Sequence, residues 1–194
     1  MVHDLFFPNL EGVWKEVNLD EWAEKENASL YDPFVQEELI KKIHKELKCD
    51  YSYGGYMEFR VNLLIDQYNA SIGPDHFWHL GIDYNVPASI PVSIPLDGKL
   101  LHSEIDPDQD GGWGGKLIFE TKGVYLILGH LCNIVIEKKD YKKGEIVGKV
   151  GNYPENGCWF PHLHVQCCKT FDPKVDGYSK DIENFPNPEI IFER

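Results

Sequence analysis

The sequence predicts a mainly β domain of antiparallel sheets with an N-terminal helical extension. Three observations point there. From residue 56 onward, short apolar runs such as LGIDYNV, GKLIFETKGVYLILG, GEIVGKV and PHLHVQCC alternate with Gly, Pro, Asn and Asp. That is the pattern of strands broken by tight turns. Before residue 56 the clearest apolar spacing is helical. The composition, 42% hydrophobic and 13% aromatic, is enough for a packed core and too high for disorder. The 194 residues fit one domain with terminal additions. We read residues 1 to 55 as an N-terminal extension, 56 to 172 as the core and 173 to 194 as a surface tail.

The elements follow in order. EGVWKEVNL reads as a short strand. DPFVQEELIKKIHKELKCD reads as a helix over about 33 to 48. Asp32 suits its N-cap and Pro33 its first helical position. Phe34, Leu39, Ile43 and Leu47 form the apolar stripe, with Glu37, Glu38, Lys41, Lys42 and Lys45 on the other side. His44 reads as an ordinary residue of this helix. GKLIFETKGVYLILG reads as a hairpin turning at Lys122-Gly123. DPDQDGGWGG reads as a loop, because its acidic residues lack the spacing of an EF-hand. The tail, TFDPKVDGYSKDIENFPNPEIIFER, is rich in Pro, Asp and Asn and reads as wrapping the surface.

The net charge of −13 disfavours nucleic-acid backbones and anionic lipid as partners. No apolar run approaches the length of a membrane span. The start, MVHDLFFPNLEG, lacks a basic n-region and a long apolar h-region, so it does not read as a secretory signal, and the compartment stays open. The five cysteines, Cys49, Cys132, Cys158, Cys167 and Cys168, are odd in number and contain no CxxC, which favours reduced thiols. Cys167 and Cys168 read as strand packing.

Eight histidines occur, at positions 3, 44, 76, 79, 102, 130, 162 and 164. PHLHVQ places His162 and His164 two apart among strand-forming residues, so both point to one face. WHLGIDYNVP places His79 and Asp83 four apart, again one face of an extended segment. YLILGHL places His130 at the end of a strand. His76 and His102 read as surface residues, with His76 close enough to His79 to rim a site. A catalytic zinc takes three protein ligands from His and Asp/Glu and keeps a fourth position for water or substrate. His79, Asp83 and one histidine of the HLH pair supply such a set. The other HLH histidine and His130 remain to handle a proton, with imidazole pKa values near 6.5 suited to that work.

These motifs, in this order, resemble the zinc endopeptidases of the lysostaphin and LytM type, which cut peptide cross-links in bacterial cell walls. The resemblance runs from about Phe77 to Gln166. It rests on HLGID, VPASIPVSIPLDGKL, GGWGGKLI, GHL, KKGEIVGKVGN and PHLHV. It implies that His79, Asp83 and His164 bind zinc, and that His130 and His162 act on the water and the developing oxyanion. It also implies antiparallel sheets of the lysostaphin/LytM type, with a duplicated hybrid motif and the site in a groove walled by loops. The implied substrate is a peptide, with peptidoglycan cross-links foremost. The turn before PHLH, NYPENGCWF, departs from the Gly/Ser/Thr-rich turn usual in the family. The first 70 residues or so have no clear counterpart, though YGGYMEFR (53 to 60) is placed to line the groove. The unmatched N-terminal region is also a candidate plug. Trp78, Trp113, Trp159 and Phe160 read as core or groove-wall packing. Three other readings compete. One is a non-catalytic binding module on the same fold. Another is a peptidase of non-wall peptides or proteins. The third is a structural zinc site closed by a cysteine or histidine.

Overall fold

A computed structural model describes residues 2–61, 78–179 and 182–192, so His76 lies outside the described residues. The N-terminal part holds α1 (His3–Phe6), β1 (Trp14–Glu16), α2 (Leu19–Glu26) and α3 (Pro33–Leu47). The strands β2 (Tyr51–Gly54), β3 (Glu58–Phe59), β4 (Trp78–His79), β5 (Gly81–Asn85), β6 (Pro91–Ser93) and β7 (Gly98–Ile105) follow. Then come β8 (Gly115–Thr121), β9 (Val124–Cys132), β10 (Asp140–Tyr141), β11 (Ile146–Val150) and β12 (His162–Cys168). A short 3-10 turn at Ile182–Asn184 and a helix α4 (Pro188–Phe192) close the chain.

Local signals explain the boundaries. Asp32 caps α3 by accepting from the Phe34 N–H at 2.8 Å, and Pro33 stands in the first turn, where a missing N–H costs nothing. The helix ends at Lys48 in the left-handed region. Thr121 pairs with Val124 across Lys122 and Gly123, whose φ values of 46° and 79° give the two positive dihedrals that a tight hairpin turn needs.

Among the described residues the main sheet runs β1-β2-β5-β12-β9-β8-β7-β10, with β11 joining β9 to β6, while β3 and β4 form a separate pair. The pairing is antiparallel as expected, except that β1 lies parallel to β2. β12 sits between β5 and β9, with His164 opposite both Asp83 and Gly129. It is buried along its whole length, so its two faces do different things. Leu163, Val165 and Cys167 point into the main core with Ile82, Leu126 and Leu128. His162, His164 and Gln166 point the other way. Cys168, on that second face, packs with Leu80, Ile118 and Ile127. All five cysteines are unpaired.

The terminal regions are built into this core. Phe6 and Phe7 are buried in the main cluster beside Trp14 and Tyr84. The helices α2 and α3 bury Ala23, Leu39, Ile40 and Ile43 against Trp159 and Phe160, just before β12. Residues 173–192, read from sequence as a surface tail, also bury Val175 and Phe185 beside Ile127. No helix among the described residues is long and apolar enough to cross a membrane.

The burial of Phe6 predicts that Phe6→Ala costs about 3–5 kcal/mol, a large share of a typical domain's stability. Urea unfolding measures it, and a cost below about 1 kcal/mol would contradict the packing. Removing residues 1–50 takes away Phe6, Phe7 and Trp14 together, and the remainder is expected to lose its cooperative unfolding transition.

Candidate metal and proton-transfer site

The second face of β12 meets β5 and β9 at one place. His79 at the end of β4, Asp83 on β5 and His164 on β12 offer ligand atoms that all lie within 4.8 Å of one another. His164 Nδ1 stands 2.9 Å from Asp83 Oδ1 and 3.0 Å from His79 Nε2, and His79 Nε2 stands 3.4 Å from Asp83 Oδ2. A single proton lies between only two of these groups, whereas a cation among them meets all three. Zinc bonds of about 2.0–2.1 Å in a tetrahedral arrangement place donors about 3.3 Å apart. The observed spacings bracket that value, so the donor set fits zinc.

Neighbours fix how these groups point. Gln166 Nε2 donates to the Asp176 carbonyl at 3.0 Å, which turns its Oε1 toward His164 Nε2 at 2.9 Å. The carboxamide oxygen accepts only, so His164 carries its proton on Nε2 and presents a lone pair at Nδ1. Gly81 makes room for that ring: a Cβ there would stand 2.5 Å from His164 Cε1 and 2.8 Å from the Val165 carbonyl oxygen. The outer Nδ1 of His79 is buried with no hydrogen-bond partner among the described residues.

His130 and His162 complete the site, with ring centroids 4.4 Å apart. Each Nδ1 faces a backbone carbonyl, that of Asn156 at 2.9 Å for His130 and that of Phe160 at 2.6 Å for His162. A carbonyl accepts only, so both neutral rings hold their proton on Nδ1 and offer Nε2 as a base. His162 Nε2 lies 3.7 Å from Asp83 Oδ1. A β-bulge brings His130 here. Gly115 pairs with Leu131 and Leu117 with Leu128, so Gly129 and His130 both stand opposite Lys116. His130 takes φ 60°, a left-handed value uncommon outside glycine. Trp113 stacks on His130 at 15° and meets His164 edge-on. Gly129 lets the indole approach, since a Cβ there would lie 2.6 Å from Trp113 Cε3.

All five residues are buried. Burial first, and then the Arg60 charge, pushes His79 down to about 3. Burial and the neighbouring His162 and His164 hold His130 well below the usual imidazole range, and burial lowers His162. For Asp83, burial works upward, but the charges of His79 and Arg60 outweigh it and hold the carboxyl well below its ordinary value. At neutral pH His79, His130 and His162 are therefore neutral and Asp83 is ionised.

The five predicted residues thus converge. Arg60, from the YGGYMEFR stretch expected at the groove, lines the cavity of about 70 Å³, and so do the tail residues Asp176, Gly177 and Tyr178, which the sequence reading missed along with Gln166 behind His164. Gln166 shares the face of His162 and His164 by simple alternation, a signal present in PHLHVQ. Val17, Leu19 and Gln36 line the cavity from the N-terminal region, and Trp113, Trp159 and Phe160 line it too. Trp78 instead lies half-exposed against Phe59. His44 reaches Ser52 at 2.9 Å, and His102 is partly buried and pairs with Glu104 at 2.8 Å. Cys167 and Cys168 lie in packing clusters and do not line the cavity.

In fold, the chain is similar to the catalytic domain of the antimicrobial peptidase lysostaphin from Staphylococcus simulans. The match has 20% identity and a TM-score of 0.53, and covers 77% of this chain and 97% of that domain. The lysostaphin-type fold expected from the sequence is therefore the fold of this chain. A zinc containing peptidase from Vibrio cholerae matches with 24% identity and a TM-score of 0.38, over 47% of this chain and only 27% of that one. A chain of the SpoIIQ-SpoIIIAH pore forming complex matches with 22% identity and a TM-score of 0.43, over 58% of this chain and 63% of that one. No family model and no curated protein matches the chain.

Two outcomes follow. Gln166→Leu frees the His164 tautomer and is expected to weaken zinc binding about 10–100-fold in chelator competition. Unchanged affinity would remove Gln166 from the site. The metal-free fold is also expected to be acid-sensitive. The unfolded chain takes up protons on histidine below about pH 6.5, whereas His79 in the fold does so only near about 3. Stability then falls as pH drops from about 6.5, by up to about 1.4 kcal/mol per pH unit for each such group. Urea unfolding with chelator at about pH 7 and about pH 5 checks the sign.

Proposed function

We propose that this chain is a zinc-dependent endopeptidase that hydrolyses a peptide bond in bacterial cell-wall cross-links. The observation that carries the reading is the convergence of His79, Asp83 and His164 on one point, with two further imidazoles beside it. The fold shared with the lysostaphin catalytic domain supports the same reaction class. Zinc held by these three residues would act as Lewis acid on the scissile carbonyl and as the activator of its water.

The chain's own residues supply the rest. His130 and His162 present unprotonated Nε2 atoms, so either can take the proton of the attacking water. The ring that carries the proton becomes a donor to the oxyanion of the tetrahedral intermediate. Asp83 beside His162 Nε2 favours the charged form of that ring. The buried setting strengthens each of these interactions over its value in water.

A second reading, a peptidase of short non-wall peptides, is favoured by one observation. Val17, Leu19 and Gln36 of the N-terminal region, which has no counterpart in the wall-cutting resemblance, stand in the wall of the cavity.

The test has two parts. Elemental analysis of dialysed protein is expected to find about one zinc per chain, lost in His164→Ala. Digestion of cross-linked wall fragments, read by mass spectrometry, is expected to release cleaved cross-links, with His130→Ala slowed about 10²–10⁴-fold. Cleavage of short peptides alone would favour the second reading. A folded, zinc-free protein that cuts neither would sink the enzyme reading and leave a binding module.

A further inference from the structure

Asp83 faces the candidate metal position with both of its oxygens: Oδ1 lies 2.9 Å from His164 Nδ1 and Oδ2 lies 3.4 Å from His79 Nε2. A carboxylate set this way can chelate a metal through both atoms. With the water also bound, that would make five ligands where a catalytic zinc has four, crowding the position kept for water and substrate. Something has to occupy one oxygen.

Arg60 does so. Its Nη1 donates to Asp83 Oδ2 at 2.7 Å and also reaches the Tyr178 hydroxyl at 3.3 Å. The guanidinium is buried, and Glu58 holds its other edge by accepting from Nε at 2.6 Å. Glu58 is held in turn, because its Oε1 accepts from the Leu19 N–H at the start of α2 at 3.1 Å. Gly54 leaves space for the fork, since a Cβ there would stand 2.9 Å from Arg60 Nη2. Arginine keeps its proton and presents donors in a fixed plane, so it is a permanent occupant of that oxygen. Its burial is compensated by Glu58, which leaves it free to serve Asp83. Arg60 lies in YGGYMEFR, before the stretch over which the motifs resemble the lysostaphin type.

We propose that Arg60, anchored by Glu58, is a positioning residue that confines Asp83 to one-oxygen coordination and so keeps the fourth metal position open. The inference rests on the zinc reading of the site. The N-terminal region thereby reaches the metal ligand through an unbroken chain, from the Leu19 N–H to Glu58, Arg60 and Asp83.

Cobalt(II) in place of zinc tests it, because its visible absorption is intense in a four-coordinate site and falls when a fifth ligand enters. Wild-type protein loaded with cobalt is expected to give the intense four-coordinate spectrum. Arg60→Gln is expected to keep its metal but lose most of that intensity, and Arg60→Lys, which restores a cation, to recover part of it. An unchanged spectrum in Arg60→Gln, or loss of its metal altogether, overturns the proposal. If Arg60→Gln does not fold, Glu58→Gln, which loosens the anchor and keeps the arginine, is expected to move the spectrum the same way. No change there overturns it equally. A folded wild-type protein that takes up neither zinc nor cobalt instead defeats the zinc reading, and this inference with it.

Discussion

A strand buried on both faces can carry two imidazoles and a carboxamide only if their polar atoms are met, since an unmet buried polar atom costs about 1–3 kcal/mol. β12 is such a strand. Its apolar face is satisfied by packing alone. Its polar face draws in partners from distant parts of the chain. Asp83 and Gln166 meet His164, the Phe160 carbonyl meets His162, and the Asp176 carbonyl meets Gln166. Each partner is itself fixed by backbone or by another side chain. The site is thus the solution to a burial problem, and the same contacts set which nitrogen of each ring is free. Geometry and protonation are fixed by one set of hydrogen bonds.

Much of this was legible in the sequence. Alternation in HLGID and PHLHV put each pair of site residues on one face, and the fold brings the pairs together. Capping at Asp32 and Pro33 placed α3 to within a residue or so. The hairpin turn stood at Lys122-Gly123, where two positive dihedrals are needed. The unread features are those in which local preference loses to tertiary contact. His130 adopts a backbone conformation its type disfavours, because a bulge there is stabilised by Trp113 and by the Asn156 carbonyl. Nothing in GHL announces a bulge. Arg60 was legible only as part of YGGYMEFR, a stretch placed to line the groove. Its partner is 23 residues away and becomes apparent only when β5 is in place. Tyr178 sat in a tail whose composition reads as surface, yet it packs beside His79.

The N-terminal region adds its own residues to the wall of the candidate site. Helices α2 and α3 dock on Trp159 and Phe160 and bring Val17, Leu19 and Gln36 to the cavity wall. Gln36 accepts from the Phe160 N–H at 3.2 Å, two residues from His162. The site thus has walls from the N-terminal region as well as from the sheet. The wall is continuous with the sheet through the parallel pairing of β1 and β2.

The rings of Phe6 and Phe192 meet edge to face, 5.4 Å apart, beneath the sheet. Residues almost the whole chain apart in sequence thus share one contact. Contacts of such long sequence separation slow folding, because much of the chain must be ordered before they form. During synthesis Phe6 can meet Tyr84 early, but its edge-to-face partner Phe192 is made only at the end. The N-terminal cluster is therefore completed only when the last helix docks, which ties its final stability to the far end of the fold.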